Sequence, residues 1–190
     1  MKKIINKRGF KYFVSFLILT LILLSMTIQP IMTYSFGEEI LIKTKAFDPR
    51  NVFRGDYVRL NYEVNDISLN KLDKEIVKII DDNDYEKIKE LRKKKIYVTL
   101  RKKESFYEVD KVTLKKPTEG IFLKAKYEHN LREEKDYEKI KGIRVSYTLD
   151  KYFVPENTGK ELEEKIRKGE AFAKIKVYRG YSLLNEITFK

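Results

Sequence analysis

The sequence of 190 residues contains no cysteine, a single histidine, and only eight glycines and four prolines. Without cysteine the chain can form no disulfide bond, no thiolate metal site and no cysteine nucleophile. A Ser-His-Asp triad would have to use His129, whose polar neighbours favour an ordinary surface histidine. Glycine-rich phosphate loops and nucleophile elbows are absent as well. The sequence therefore predicts no catalytic residue, no metal and no cofactor.

Acidic residues are also outnumbered, because 41 lysines and arginines face 29 aspartates and glutamates, a net charge of +12. A basic face is suited to anionic lipid headgroups, cell-wall polymers or nucleic acid. Nucleic acid is the weakest of these, because the sequence has no nucleic-acid-binding motif and its membrane segment is predicted to export the domain. Anionic lipid and cell-wall polymer remain as candidate partners.

The longest uncharged stretch runs from Tyr12 to Met32, with Leu17 and Leu23 in its apolar centre. A helix needs roughly 20 such residues to cross a bilayer. The alternative is a cleaved signal peptide, but the stretch exceeds a typical signal core and no clear small-x-small cleavage site follows. Basic residues precede it, which places the N-terminus in the cytoplasm: Lys2, Lys3, Lys7, Arg8 and Lys11. We therefore predict a cytoplasmic tail over 1–11, a single-pass anchor over 12–34 and an extracytoplasmic domain over 35–190.

Residues 47–64 predict a capped helical turn that leads directly into a strand. Asp48 can cap the turn, and Pro49 suits the first helical position, where no backbone N–H is needed. Gly55 supplies the left-handed conformation that ends such a turn. From Asp56 onward apolar and polar residues alternate, as in a half-buried strand, and the apolar positions are Val58, Leu60, Tyr62 and Val64.

The same stretch resembles a known family. Residues 55–62 read Gly-Asp-Tyr-Val-Arg-Leu-Asn-Tyr and match every fixed position of the GDYXXLXY signature, so the chain resembles the GDYXXLXY family. The fixed positions are Gly55, Asp56, Tyr57, Leu60 and Tyr62. Flanking and downstream residues also resemble the family: Asp48, Pro49, Arg50, Arg54, Tyr152, Phe153, Pro155 and Glu156. The resemblance implies a membrane-anchored bacterial protein of unestablished activity and a multi-pass membrane protein as partner.

The remaining chain alternates between strand and helix patterns. A three- and four-residue spacing between Ser68 and Lys95 predicts two short amphipathic helices, the second capped by Asp84. Strands are predicted over 39–45, 96–100, 106–109, 121–127, 143–149, 171–178 and 182–189, with a loop over 129–139 and a short helix before Gly169. We therefore expect a mainly β (α+β) domain, an antiparallel sandwich or partly open barrel of about eight strands with two or three short helices.

Two functions remain open. The first is a non-enzymatic accessory module that binds a membrane partner or an anionic envelope component. The alternative is an envelope hydrolase that uses paired carboxylates such as Asp56 and Glu156.

The two family-like blocks are expected to touch. Tyr152, Phe153 and Pro155 should pack near Tyr57 or Tyr62. Arg50 and Arg54 lie one helical turn apart, so they either form a fork for an anion or pair with a carboxylate such as Glu156.

Overall fold

The first element of the described residues is a long helix, α1 (Lys7–Phe36), which continues through Pro30 to a point only one residue before the first strand. Its segment Phe10–Phe36 has 27 residues and a mean hydropathy of 2.1, which is long and apolar enough to cross a membrane. This finding is compatible with the predicted anchor, and a signal sequence would have the same character. The computed structural model describes residues 7–45, 57–82, 84–133, 136, 139–149, 151–153 and 171–189.

Eleven strands and two short helices follow α1 in the described residues. The strands are β1 (Glu38–Lys45), β2 (Tyr57–Arg59), β3 (Asn61–Tyr62), β4 (Asp66–Ser68), β5 (Ile96–Lys103), β6 (Phe106–Thr113), β7 (Phe122–Arg132), β8 (Ile140–Ser146), β9 (Lys151–Phe153), β10 (Ala171–Tyr178) and β11 (Tyr181–Phe189). The helices are α2 (Lys74–Asp81) and α3 (Tyr85–Lys93), and 3₁₀ turns lie at Glu63–Asn65 and Leu69–Lys71.

Nine of these strands form one mixed, unclosed sheet. Its order is β11-β10-β1-β6-β5-β7-β8-β4, and β3 pairs with β1 beside this path. All its pairs are antiparallel except that of β1 with β6, where Ile42 lies opposite Tyr107. Strands β2 and β9 form a separate antiparallel pair. The predicted mainly β architecture with a few helices is confirmed.

The core packs against the sheet, and α2 and α3 contribute residues to it. Ile76 and Ile80 of α2 and Leu91 of α3 are fully buried, as expected for the apolar stripe of each helix. The Asp84 carboxylate accepts from the backbone N–H groups of Glu86 and Lys87, so the predicted cap of α3 is confirmed.

Three local predictions are corrected. The helical region begins only at Lys74, because Leu69 lies in a 3₁₀ turn. The strand expected over 56–64 is interrupted between β2 and β3 and ends in a 3₁₀ turn at Glu63. The loop expected from His129 is wrong: β7 continues to Arg132, and register shifts in its pairing with β8 explain why the alternation of apolar residues is lost.

Candidate functional site

The two family-like blocks lie side by side. Strand β2 pairs with β9, so the backbone of Tyr57 lies opposite Phe153 and that of Val58 opposite Tyr152. Of the other predicted site residues, these lie outside the described part of the chain: Asp48, Pro49, Arg50, Arg54, Gly55, Asp56, Pro155 and Glu156. The arginine fork, the pairing with Glu156 and the paired-carboxylate hydrolase therefore remain predictions.

Tyr62, the last residue of the signature, is the centre of a buried hydrogen-bond network. Its side chain is completely buried, and its hydroxyl donates to the carbonyl oxygen of Leu149 at 2.7 Å. Its backbone N–H donates to the Asn65 side chain at 2.6 Å. Since Leu149 lies just before the second block, the tyrosine joins the two regions through the core.

Asn65 and Tyr147 complete this network. The Asn65 amide nitrogen donates to the carbonyl oxygen of Val145 at 2.8 Å, and the Tyr147 hydroxyl donates to that of Val64 at 2.8 Å. Both residues are buried, so each bond satisfies a group that water cannot reach. The 3₁₀ turn after β3 is thus held to the end of β8 from both sides.

A charged cluster lies at the surface next to this network. Asp66 accepts from Arg144 at 2.9 Å through one oxygen and from Lys45 through the other. Arg144 also donates to the Asn61 side chain at 2.8 Å. A polar cavity of about 130 Å³ opens beside Asp66, between Glu63 and Glu108. That volume holds only a few water molecules. Arg144 also lies 3.6 Å from a carboxylate oxygen of Glu128, so the two cations face two carboxylates.

The junction with α1 lies at the first residue of β1, Glu38, whereas Lys45 at its other end contacts Asp66. Gly37 is the one residue between helix and strand, and its N–H donates to the carbonyl oxygen of Thr33 at 2.9 Å. A Cβ atom on Gly37 would lie 2.3 Å from that oxygen, so a side chain does not fit there. Thr33 is completely buried. The last turn of α1 is therefore part of the folded domain.

Side chains of β10 fix this last turn from the sheet. Lys176 Nζ donates to the carbonyl oxygen of Tyr34 at 2.7 Å and lies 4.6 Å from the centre of the Tyr34 ring. The rings of Phe36 and Tyr178 lie 6.4 Å apart, and the Arg179 guanidinium lies 5.3 Å from the Tyr178 ring. The Phe36 ring at the end of the helix, the Tyr178 ring and the Arg179 guanidinium thus form a continuous stack.

A groove of about 420 Å³ runs from this stack to the loop that precedes β7. Phe36 and Tyr178 line one part, and Ile121 and Phe122 line the other. The turn between β10 and β11 presses onto Phe122, since a Cβ on Gly180 would meet that ring at 2.4 Å. Gly180 has a φ of 80°, which permits both the tight turn and this close approach.

Lys124 contacts the turn at the edge of this groove, since a Cβ on Gly180 would lie 3.2 Å from its side chain. The backbone N–H of Lys124 in β7 donates to the carbonyl oxygen of Gly180. The pKa of the Lys124 side chain is lowered by burial and by the positive charges of Lys95 and Lys116. Within the described residues none of these three lysines forms an ion pair. We call Lys95, Lys116 and Lys124 the lysine cluster.

Replacing Lys124 by methionine should stabilise the domain by about 0.2–1 kcal/mol at neutral pH, because it removes a repelled, half-buried charge from the sheet. The folded pKa lies below the ordinary 10.5, so the unfolded state binds more protons between the two values. The stability of the parent should therefore rise with pH in that window, and the gain from the variant should shrink. Chemical denaturation at several pH values measures both effects.

The matched control is Lys141→Met, an exposed lysine of β8 that lies outside the cluster. It should leave the unfolding free energy within about 0.5 kcal/mol of the parent. An equal gain from both variants would contradict the role of the cluster.

The cluster could not be recognised from the sequence, because its members come from three elements. Lys95 precedes β5, Lys116 lies between β6 and β7, and Lys124 lies in β7. Strand pairing places Lys124 opposite Tyr97, two residues after Lys95. The junction had a weak signal, since Gly37 stands alone between the apolar stretch and the first strand pattern.

Comparison with known proteins identifies the family. The chain matches the GDYXXLXY protein family over residues 19–187, from the middle of α1 to the last strand. No curated protein and no solved structure matches it. The match covers most of the chain and includes both blocks and the sheet that joins them. The chain therefore belongs to the GDYXXLXY family.

Proposed function

We propose that the chain is a single-pass, membrane-anchored protein whose extracytoplasmic domain is a non-enzymatic interaction module. It binds a multi-pass membrane protein or an anionic component of the bacterial envelope. The observation that carries this proposal is the docked junction: α1 enters the sheet through Gly37 alone, and Thr33 is buried in the domain. A helix that is built into the domain suits a permanent anchor.

The length of the free part of α1 supports the anchor. None of the twenty residues from Tyr12 to Ile31 is buried, whereas Thr33 is. At about 1.5 Å per residue these twenty span about 30 Å, the thickness of a bilayer core. The docked part of the helix begins just after this span, which supports a domain that lies directly on the bilayer surface.

An interaction module is favoured over an enzyme by the state of the polar groups near the signature. Backbone atoms of neighbouring segments form hydrogen bonds with the side chains of Tyr62, Asn65 and Tyr147. Asp66 forms an ion pair with Arg144. Groups fixed in this way stabilise a fold and are not available to a substrate.

The topology is tested with protease added to intact protoplasts. With five basic residues before the anchor and none acidic among them, the domain should lie outside and be digested. A tag at the N-terminus should survive until the protoplasts are lysed. Protection of the domain, or a mature form that begins after residue 30, would overturn the proposal.

A further inference from the structure

Two exposed aromatic side chains lie at the end of the apolar helix. Tyr34 is 66% exposed and Phe36 is 68% exposed, although the turn that carries them is docked on the sheet. In the described residues after Phe36, the large apolar side chains that are exposed are Tyr85 and Phe189, which lie apart on α3 and at the end of β11. Neighbouring exposed rings at the junction indicate a partner that covers apolar surface.

A cation lies over an aromatic ring on each side of this junction. Lys176 Nζ is 4.6 Å from the centre of the Tyr34 ring, and the Arg179 guanidinium is 5.3 Å from that of Tyr178. The Tyr178 ring also contacts Phe36, with ring centres 6.4 Å apart. Tyrosine, lysine and arginine suit the boundary between hydrocarbon and water, because each has an apolar body and a polar end. We call these five residues the junction belt.

The belt lies at the level of the lipid headgroups when α1 spans the bilayer. The twenty residues from Tyr12 to Ile31 fill a hydrocarbon core of about 30 Å. Tyr34 and Phe36 follow three and five residues later, about 4.5 Å and about 7.5 Å further along the helix axis. The headgroup layer on each side of the core is about 5–8 Å thick, so both residues fall within it.

We propose that the junction belt is a second membrane contact, through which the turn between β10 and β11 lies in the headgroup layer of the bilayer that holds α1. The inference rests on the proposed function and assigns the face of the domain that meets the membrane. Arg179 is exposed in this turn and has a φ of 49°, and its guanidinium lies over Tyr178. The turn thus presents a cation and a ring beside the aromatic end of α1.

The residues of the belt favour the headgroup layer in general over one anionic ligand. Its aromatic rings carry no net charge, and its two cations already lie against rings. Glu38, the residue that opens β1, lines the groove next to Phe36 and Arg179 and offsets part of their positive charge. The belt should therefore contact a bilayer of zwitterionic lipid as well as an anionic one.

The test measures depth with single tryptophans, because the chain contains none. Four full-length variants are placed in phosphatidylcholine nanodiscs: Leu21→Trp in the middle of α1, Phe36→Trp and Tyr178→Trp in the belt, and Phe189→Trp as the matched control. Phe189 pairs with Ala171, which lies seven residues from Tyr178 along β10, about 23 Å away. Fluorescence is quenched by lipids that carry a nitroxide either on the headgroup or deep in the acyl chain, and separately by acrylamide in water.

The tryptophan at position 21 should be quenched by the deep nitroxide, and those at positions 36 and 178 by the headgroup nitroxide. Headgroup quenching should be about threefold stronger at position 178 than at position 189, because only the former lies in the interface. Acrylamide should show the opposite order. Positions 36 and 178 belong to different elements, so either variant tests the belt if the other does not fold.

The possible failures are distinguishable. A tryptophan at position 21 that the deep nitroxide does not quench would overturn the anchor and with it the proposed function. Deep quenching at position 21 together with equal headgroup quenching at positions 178 and 189 would overturn the belt alone. Free access of acrylamide to positions 36 and 178, without quenching by either lipid, would also overturn it and leave this surface to a protein partner.

Discussion

Tyr62→Ala should lower the unfolding free energy of the domain by about 3–5 kcal/mol, the usual cost of deleting a buried aromatic ring. The side chain is completely buried in the main core. Its removal opens a cavity between the signature and the end of β8, and the carbonyl oxygen of Leu149 loses its donor. Denaturant unfolding of the full-length chain in detergent, followed by circular dichroism, measures the loss.

Tyr62→Phe separates the two contributions. It keeps the ring and removes the hydroxyl, so the cost should be about 1–3 kcal/mol from the unpaired carbonyl oxygen. Tyr85→Ala is the surface control: that ring is 73% exposed on α3 and should matter by less than about 0.5 kcal/mol. An alanine variant at position 62 that is as stable as the phenylalanine variant would contradict the packing of Tyr62.

Asn65→Leu is the second change with a large expected effect. The leucine has a similar volume but leaves two buried backbone groups unpaired, the N–H of Tyr62 and the carbonyl oxygen of Val145. Each costs about 1–3 kcal/mol, so a loss of about 2–6 kcal/mol is expected. The same unfolding experiment measures it.

Asn65→Asp provides a test with an internal control. The ionised carboxylate can accept from Tyr62 but faces the carbonyl oxygen of Val145, which raises its pKa in the folded state. Once protonated, the acid can donate to that oxygen. The variant should therefore gain stability relative to the parent as pH falls through the raised pKa, and lose it above. A pH-independent difference would show that the bond to Val145 does not contribute.

The sequence predicts those parts of the fold that depend on neighbouring residues. The cap at Asp84 and the two strands on either side of Gly180 need only local chemistry, and both are present. Non-local features were missed for physical reasons. The bulges in β7 disrupt the period of two beyond Tyr127, and the strand β4 has three residues, which are too few to show a pattern.

The candidate sites divide in the same way. The signature marked Tyr62 as important, and its alternation placed it inside the core, as found. Its partner Asn65 could not be assigned, because a polar residue after a strand pattern usually remains in solvent. The parallel pairing of β1 with β6 also brings together segments that no local rule connects.

The one-residue junction at Gly37 has a mechanical consequence in the proposed anchored state. A helix whose apolar length exceeds the local bilayer thickness tilts to keep its residues in the hydrocarbon. Because Lys176 and Tyr178 hold the last turn of α1 against β10, the sheet must tilt by the same angle. A thinner membrane would therefore lean the whole domain toward the surface and change which of its faces a neighbouring protein meets. The chain would then report bilayer thickness as an angle.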